Sequence, residues 1–360
     1  MDWNFYAYSN APKDALDSWH KLNFQVTGNG PALDHRFLGL LANYFGNGSE
    51  LLGICSDKNK CIAAALVKPL LFGVWTMFVP GQACLSPFLI SPGINTKEVM
   101  SSLMNALPGF CWLLKIPKVD PRLQPFDELM ELGATDVDPY GTTYSIDLKQ
   151  NFEDYWASRS KNLRRHLRKT MESIEAENVQ ISVEFNTDWD TISDAIVLHG
   201  QLESLGWKGA AGTAIHGNNQ QGEFYKQLLK KFSATGDAIT AQLYLDKQPA
   251  ASLICVGGNR TVIVLKTTYK QEMSKLSPGR LLDYFFLKNY CGNGKYKIAE
   301  MYTKASPADL GWATNYREWY DINLYRSEII KMAVDLAKNA KLFAKKIAPK
   351  NPNRSSLNTS

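Results

Sequence analysis

The sequence predicts an α/β (α+β) chain of two tandem units, each a mixed, largely antiparallel sheet flanked by helices. Three observations predict it. The chain has 360 residues, long for a single core and enough for two domains of about 150 to 180 residues. Short apolar runs separated by turn residues recur in both halves, the pattern of strands in a meander. Most telling is an internal repeat, in which five landmarks occur twice in the same order.

The repeat begins at Asp57–Ala64 and again at Asp246–Leu253, each a polar turn between two apolar runs and so a hairpin. Ser91-Pro92-Gly93 follows Asp57 by 34 residues, and Ser277-Pro278-Gly279 follows Asp246 by 31; each is expected to open a helix. Phe110–Ile116 and Lys297–Tyr302 then read as strands, followed by the matching Tyr144–Leu148 and Tyr320–Leu324. The repeat divides the chain into an N-terminal unit, 1–150, and a C-terminal unit, 151–326. A basic amphipathic helix, 327–348, and a disordered tail, 349–360, complete it.

In chain order, Asp34 to Tyr44 has helical spacing, with Phe37, Leu40, Leu41 and Tyr44 on one face. Glu50 to Pro80 reads as an antiparallel meander, and a loop then leads to a helix over Thr96–Ala106. Ser160 is the expected N-cap of a helix carrying Leu163, Leu167, Met171 and Ile174. Ile181 to Phe185 alternates as a strand. Asp190 to Leu205 and Glu223 to Thr235 are helices, joined by a Gly-rich loop from Gly206 to Asn219 suited to a lid or acceptor-binding segment. After Arg326, Met332, Leu336, Ala340, Phe343 and Ile347 form an apolar stripe, expected to pack on the body or to lie on an acidic membrane surface.

An apolar content of 45% and a charged content of 21% are those of an ordinary globular protein. The net charge of +5 is concentrated after Ser327, where seven basic residues face two acidic ones, so the body is neutral and gives no reason to expect DNA binding. Six cysteines without C-x-x-C spacing indicate neither a zinc site nor a disulfide framework, and no metal is expected. With no apolar leader and no long uncharged run, a cytoplasmic location without a membrane span is expected.

The chemistry is concentrated in Thr261–Tyr290. A β-branched strand is followed by a loop and then by Ser277-Pro278-Gly279, read as N-cap, first helical residue and second. The amides of Gly279 and Arg280 lack intrahelical partners, and with Lys275 and Arg280 beside them they would cradle a phosphate or pyrophosphate. The first copy, Ser91-Pro92-Gly93, has Ile90 and Ile94 beside it and no cation, so the chemistry is assigned to the second unit. A further anion-binding candidate is the run Arg159 to Lys169, six basic residues without an acid. They sit at the end of the helix where cations cost about 0.3–1 kcal/mol each. Either an anionic ligand or a solvated face with Glu172, Glu175 and Glu177 accounts for them. His199, on a helical face, is a catalytic base or a packed core histidine.

Strand, hairpin, strand, an amide-rich turn into a helix and a further strand is the order in GNAT-type acyltransferases. Ser160–Lys169, Ser204–Trp207, Ser277–Leu282 and Trp312–Arg326 resemble the CelD-like group associated with cellulose and exopolysaccharide biosynthesis, related through its tandem units to the FemAB-type aminoacyl transferases. The general GNAT loop is Q/R-x-x-G-x-G/A, whereas Lys275-Leu276-Ser277-Pro278-Gly279-Arg280 supplies one glycine, and a Tyr-Lys pair usual in the CelD-like group is replaced by Ala308-Asp309.

The resemblance implies acetyl-CoA or another acyl-CoA as co-substrate, held by Thr268, Lys275, Ser277, Gly279 and Arg280. It further implies direct attack by a small acceptor, a sugar or nucleotide sugar, in a ternary complex. Glu300 is then the expected base, directly or through water, or a salt-bridged strand carboxylate; Tyr302 or Tyr269 would protonate the thiolate, and an amide near Thr268 would bind the oxyanion. Arg164, Arg168, His199 and Trp207 are the candidates for substrate binding. Two alternatives stand beside it. A FemAB-type enzyme would use aminoacyl-tRNA as donor, with Arg159–Lys169 on its phosphates. A non-catalytic binding or scaffold protein would dock on a membrane or protein partner through its basic C-terminal helix.

Overall fold

The computed structural model describes residues 1–204, 215 and 219–347, the side chains of 341–347 excepted. The first half contributes β1 (Asp2–Ala7), α1 (Lys13–Thr27), α2 (His35–Phe45), β2 (Leu51–Asp57), β3 (Lys60–Leu71), β4 (Val74–Met77) and β5 (Phe88–Ile90). It continues through α3 (Thr96–Ala106), β6 (Leu113–Val119), α4 (Phe126–Met130) and β7 (Thr135–Asp147). The second half begins with α5 (Phe152–Ala157), α6 (Lys161–Ala176), β8 (Ile181–Asn186), α7 (Trp189–Ser204), α8 (Gln220–Ser233), β9 (Ala238–Leu245), β10 (Gln248–Gly258) and β11 (Thr261–Tyr269). It closes with α9 (Pro278–Tyr290), β12 (Ile298–Glu300), α10 (Pro307–Leu310), β13 (Asn315–Tyr325) and α11 (Glu328–Ile347).

Side-chain oxygens set several helix starts. Asp34 caps α2, Ser160 caps α6 and Asn219 caps α8, each accepting from an amide of the first turn. The helix over Thr96–Ala106 forms as its periodicity predicts, but its cap is Asn95. Ser91-Pro92-Gly93 is a tight turn, with Gly93 at φ 81°, and does not open that helix. Asparagine, with a free acceptor and a free choice of φ, displaces the Ser-Pro start.

The described strands form one 13-stranded sheet in the order β1-β2-β3-β4-β6-β13-β7-β12-β11-β10-β9-β8, with β5 added on β3. The two ends mirror each other. β2, β3 and β4 form an antiparallel meander followed by a parallel pairing of β4 with β6; β9, β10 and β11 repeat this, with β11 parallel to β12. Each unit then gives its last strand to the other. β13 lies between β6 and β7, antiparallel to both, and β7 pairs onward with β12. The matched segments Tyr144–Leu148 and Tyr320–Leu324 thus lie on the two central, exchanged strands. The fold is a tandem of two GNAT-like units, each a mixed, largely antiparallel sheet flanked by helices.

One apolar core spans both halves, with Trp19, Phe37 and Leu41 of α1 and α2 against Phe224, Leu228 and Phe232 of α8. Separate cores cover the opposite face at each end of the sheet. The six cysteines are unpaired. No helix among the described residues is long and apolar enough to cross a membrane.

The last helix packs differently from the expectation. Ile330 and Val334 of α11 meet Val74, Leu113 and Tyr325, while Lys331 and Lys338 bond to Asp136. This turns Ile329, Met332 and Leu336 outward, so the part of the expected stripe that is described faces solvent. Ion pairing to Asp136 fixes the rotation of the helix, and the smaller apolar face is the one it buries.

The exchange of strands makes the halves one cooperative body. Ile322→Ala, in the core beside β6, is expected to cost about 2–5 kcal/mol. In urea, fluorescence from both halves should be lost in one transition; two separated transitions would show independent units.

Candidate functional site

β11 pairs with β12 only from Thr261↔Ile298 to Ile263↔Glu300 and then runs on to Tyr269 paired with β10 alone. A bulge between Ile254 and Cys255 of β10 leaves Leu265 unmatched and bends β11 at the point of divergence. The opening between the two parallel strands is where the candidate site lies.

A cleft of about 270 Å³ is lined by Thr267, Thr268 and Tyr269 of β11, by Ser277, Gly279 and Arg280 at the start of α9, and by Ser252 of β10 and Asp283. The structure therefore gathers Thr268, Ser277, Gly279, Arg280 and Tyr269 into one place. Lys275 is exposed on the adjoining turn and lies outside the lining.

Ser277 occupies the expected position but not the expected role. Its backbone is left-handed (φ 47°, ψ 50°), and its hydroxyl bonds to His166 Nε2 at 3.1 Å without capping α9. The first intrahelical bond runs from Leu281 N to Ser277 O, so the Gly279 and Arg280 amides have no intrahelical acceptor. His166 also ties α6 to this helix start, and burial and nearby Arg280 hold its imidazole below the ordinary histidine pKa. A Cβ on Gly279 would lie 3.6 Å from Tyr269 Cδ1, so the tyrosine ring stands beside the helix N-terminus.

The ladder also sets which amides of β11 face the gap. Lys270 N bonds to Ala250 O at 2.8 Å, and amide directions alternate along a strand, so the Thr268 amide also points to β10. The amides of Thr267 and Tyr269 point to the side that no strand covers beyond Ile263. Asp283 is a group the sequence reading missed. Burial first, then Asp309, raise its carboxyl to about 7 against the opposing pull of Arg280.

On the other stretch of β11, Val264, Leu265 and Lys266 line a second cavity of about 330 Å³ with Gln82, Lys118, Tyr225 and Tyr302. Among the described residues, no carboxylate lines it. Lys118 Nζ donates to Ala83 O at 2.7 Å, and burial lowers its pKa. Tyr302 and Tyr269 thus stand in different cavities. Burial and neighbouring Glu300 keep the Tyr302 hydroxyl protonated well beyond the ordinary range.

Glu300 lies in neither cavity. Its carboxylate is fully buried and ion-paired to Arg122 and, at 3.0 Å, to Arg317, whose guanidinium also holds Asp120 at 2.6 and 2.7 Å. These are the ion pairs of the salt-bridged reading of Glu300; a role as base would run through water. Desolvation raises the Glu300 pKa, and the two arginines oppose it. His199 is also buried, with Nδ1 3.0 Å from the hydroxyl of Ser252, which lines the cleft. It reaches the cleft through that serine.

Arg159 bonds to the Trp312 carbonyl at 3.1 Å and to that of Ala313, so it anchors α6. Arg164 and Arg168 are exposed on α6, outside both cavities. Trp207 lies outside the described residues. Ala308 and Asp309 belong to α10, where Ser306 and Asp309 form a capping box, so the position of the missing Tyr-Lys pair serves a helix start. Among the described residues, no group of three or more His, Cys, Asp or Glu is placed to hold a metal.

The geometry agrees with the comparisons. Residues 157–307 match a family model described as an acetyltransferase (GNAT) domain. The C-terminal domain (DUF2156) of a putative lysylphosphatidylglycerol synthetase from Agrobacterium fabrum superposes with TM-score 0.55 at 10% identity, covering 91% of this chain and 96% of that one. FemX superposes with TM-score 0.55 at 11% identity, covering 92% and 99%. L-PGS from Bacillus licheniformis gives TM-score 0.53 at 12% identity, covering 89% and 95%. No curated protein matches by sequence. At these identities the structures establish a shared GNAT- and FemX-like fold; the domain match makes the chain an acyltransferase.

Three variants test the site. Arg317→Met leaves Asp120 and Glu300 buried without their shared cation and should cost about 3–5 kcal/mol in urea denaturation. Glu300→Gln should likewise lower stability; unchanged stability with a kcat loss of about 100-fold or more would restore Glu300 as the base. Asp283→Asn probes pH dependence. A carboxyl raised to about 7 is neutral below that pH, and its charge opposes an anion above it. Affinity for a phosphate ligand should fall as pH rises through 7 in the native chain and stay flat in Asp283→Asn.

Proposed function

We propose that the chain transfers an acyl group from acyl-CoA, acetyl-CoA being the simplest donor, to the amine of a small acceptor such as an amino sugar or nucleotide sugar. The observation that carries this reading is the cleft at the divergence of β11 and β12, where uncapped amides, Arg280 and a row of hydroxyls meet. The pyrophosphate of the donor rests on the Gly279 and Arg280 amides, with the His166–Ser277 pair at its edge. The pantetheine arm follows β11, and the thioester oxygen takes the amide of Thr267 or Tyr269.

The acceptor enters the second cavity, so that donor and acceptor approach from the two stretches of one strand. Lys118 and Lys266 suit an acceptor carrying phosphate or carboxylate. With Glu300 engaged by two arginines, the acceptor's proton leaves through water, and Tyr302, fixed beside the ion cluster, is the cavity's hydroxyl donor. Membership of the CelD-like group and a cytoplasmic role in polysaccharide synthesis extend this reading from the resemblance.

A second reading is favoured by α6, whose Arg164, Arg165, Arg168 and Lys169 are exposed on the helix that carries His166 to the cleft. In it the donor is aminoacyl-tRNA, whose phosphates follow that face.

Isothermal titration of the full chain with acetyl-CoA separates the two. Arg280→Ala should weaken binding about ten-fold or more, about 1.4 kcal/mol. Absence of binding by acetyl-CoA and by a longer acyl-CoA, with salt-sensitive tRNA binding lost on Arg164→Ala/Arg168→Ala, would replace the first reading by the second.

A further inference from the structure

Away from both cavities, one end of the first half carries an unusual amount of exposed apolar surface. The β3–β4 hairpin ends in Leu70, Leu71 and Phe72, the last 97% exposed. Phe110 is exposed beside it, and Ile329, Met332 and Leu336 line the outer face of α11. These elements are joined. Trp112 Nε1 donates to Phe72 O at 2.7 Å, and the Trp112 ring packs in the same cluster as Ile330 and Val334. Arg326 lies over the Phe110 ring at 4.8 Å and leads directly into α11.

Within this end lies a cavity of about 290 Å³ whose lining includes Met100, Met104 and Leu132 with Lys97 and Arg326, and no carboxylate. Glu328 is the neighbouring acid, beside Gly133. From Leu336 to Ser360 the chain has six basic residues and no acidic one.

We infer that this end docks on an anionic phospholipid bilayer, with Phe72 and the outer face of α11 in the interface and basic side chains on the headgroups, while Arg326, held by the Met104 and Cys111 carbonyls and by Asn105 Oδ1, fixes the helix start behind them. Charge chooses the occupant. A second copy would set two basic segments against each other, whereas an anionic surface neutralises them while taking up the apolar side chains. An aromatic residue at a hairpin tip, extended from a rigid sheet, costs little to insert and much to leave in water. Because the two catalytic cavities lie elsewhere, the inference stands apart from the acyltransferase reading.

Co-sedimentation of the full chain with vesicles of equal parts phosphatidylglycerol and phosphatidylcholine tests it. The chain should pellet with these vesicles at low salt and stay in solution with phosphatidylcholine alone. Leu71→Ser/Phe72→Ser and Ile329→Gln/Met332→Gln/Leu336→Gln should each lower partitioning about ten-fold or more. All five side chains are exposed, so thermal melting should match the native chain. The inference is overturned if the native chain stays in solution with anionic vesicles, if well-folded variants bind as tightly, or if light scattering shows a dimer that these substitutions split.

Discussion

Everything in this molecule turns on the lodging of β13 between β6 and β7. A strand from the end of the chain, inserted into the sheet of the first half, brings Arg317 against the fully buried carboxylates of Asp120 and Glu300. Burying two carboxylates costs several kcal/mol each unless cations meet them, and one of the two cations comes from each half: Arg122 from the first, Arg317 from the second. The cluster rewards the exchanged arrangement alone, because either half by itself would bury a carboxylate without its full set of partners.

The same exchange opens the site. In the second half β12 is short and hands its far edge to β7, so β11 is paired with it for three residues and is then released. The released stretch presents amides of alternating direction, some to β10 and some to the gap. The gap is closed at one end by the start of α9, and no side chain caps that helix. The first half has the parallel pair, β4 with β6, but Ser91-Pro92-Gly93 turns back on the body, with Ser91 N on Ile62 O at 2.8 Å. Only the second copy of this motif points a helix start into its gap.

Most of the fold was legible in the sequence because it is written in local patterns. The hairpins at Asp57 and Asp246, the cap at Ser160 and the helix over Thr96–Ala106 depend on neighbours in the chain, and all appear. The five repeated landmarks also located the exchanged strands, though not their exchange, since Tyr144 and Tyr316 meet across the whole length of the second half. Of the candidate site, the segment Thr268–Arg280 was legible because strand, turn and helix start are contiguous. Asp283, Ser252 and Lys118 were not, because they acquire meaning only when β10, α9 and β6 converge. The only signals available were a single acid inside an apolar helix face and a lysine left in a strand edge. Glu300 was legible as a strand carboxylate with two possible roles, and the arginines that decide between them lie far from it in sequence.

The electrostatics of the two cavities follow from the way carboxylates are silenced. Glu300 and Asp120 are held by guanidinium groups, Asp309 accepts from its own helix cap, and Asp283 is kept neutral to about pH 7 by burial. Arg280 and the Gly279 and Arg280 amides line one cavity, while Lys118, donating to Ala83 O, and Lys266, over the Tyr225 ring, line the other. A neutral body thus presents two locally positive openings on one strand. Anionic donor and anionic acceptor would repel each other in water by about 1 kcal/mol at 4 Å, and more in a closed site. On the proposed reading, the cations lining the two cavities would offset that repulsion and leave the thioester and the amine to meet between Lys266 and Thr268.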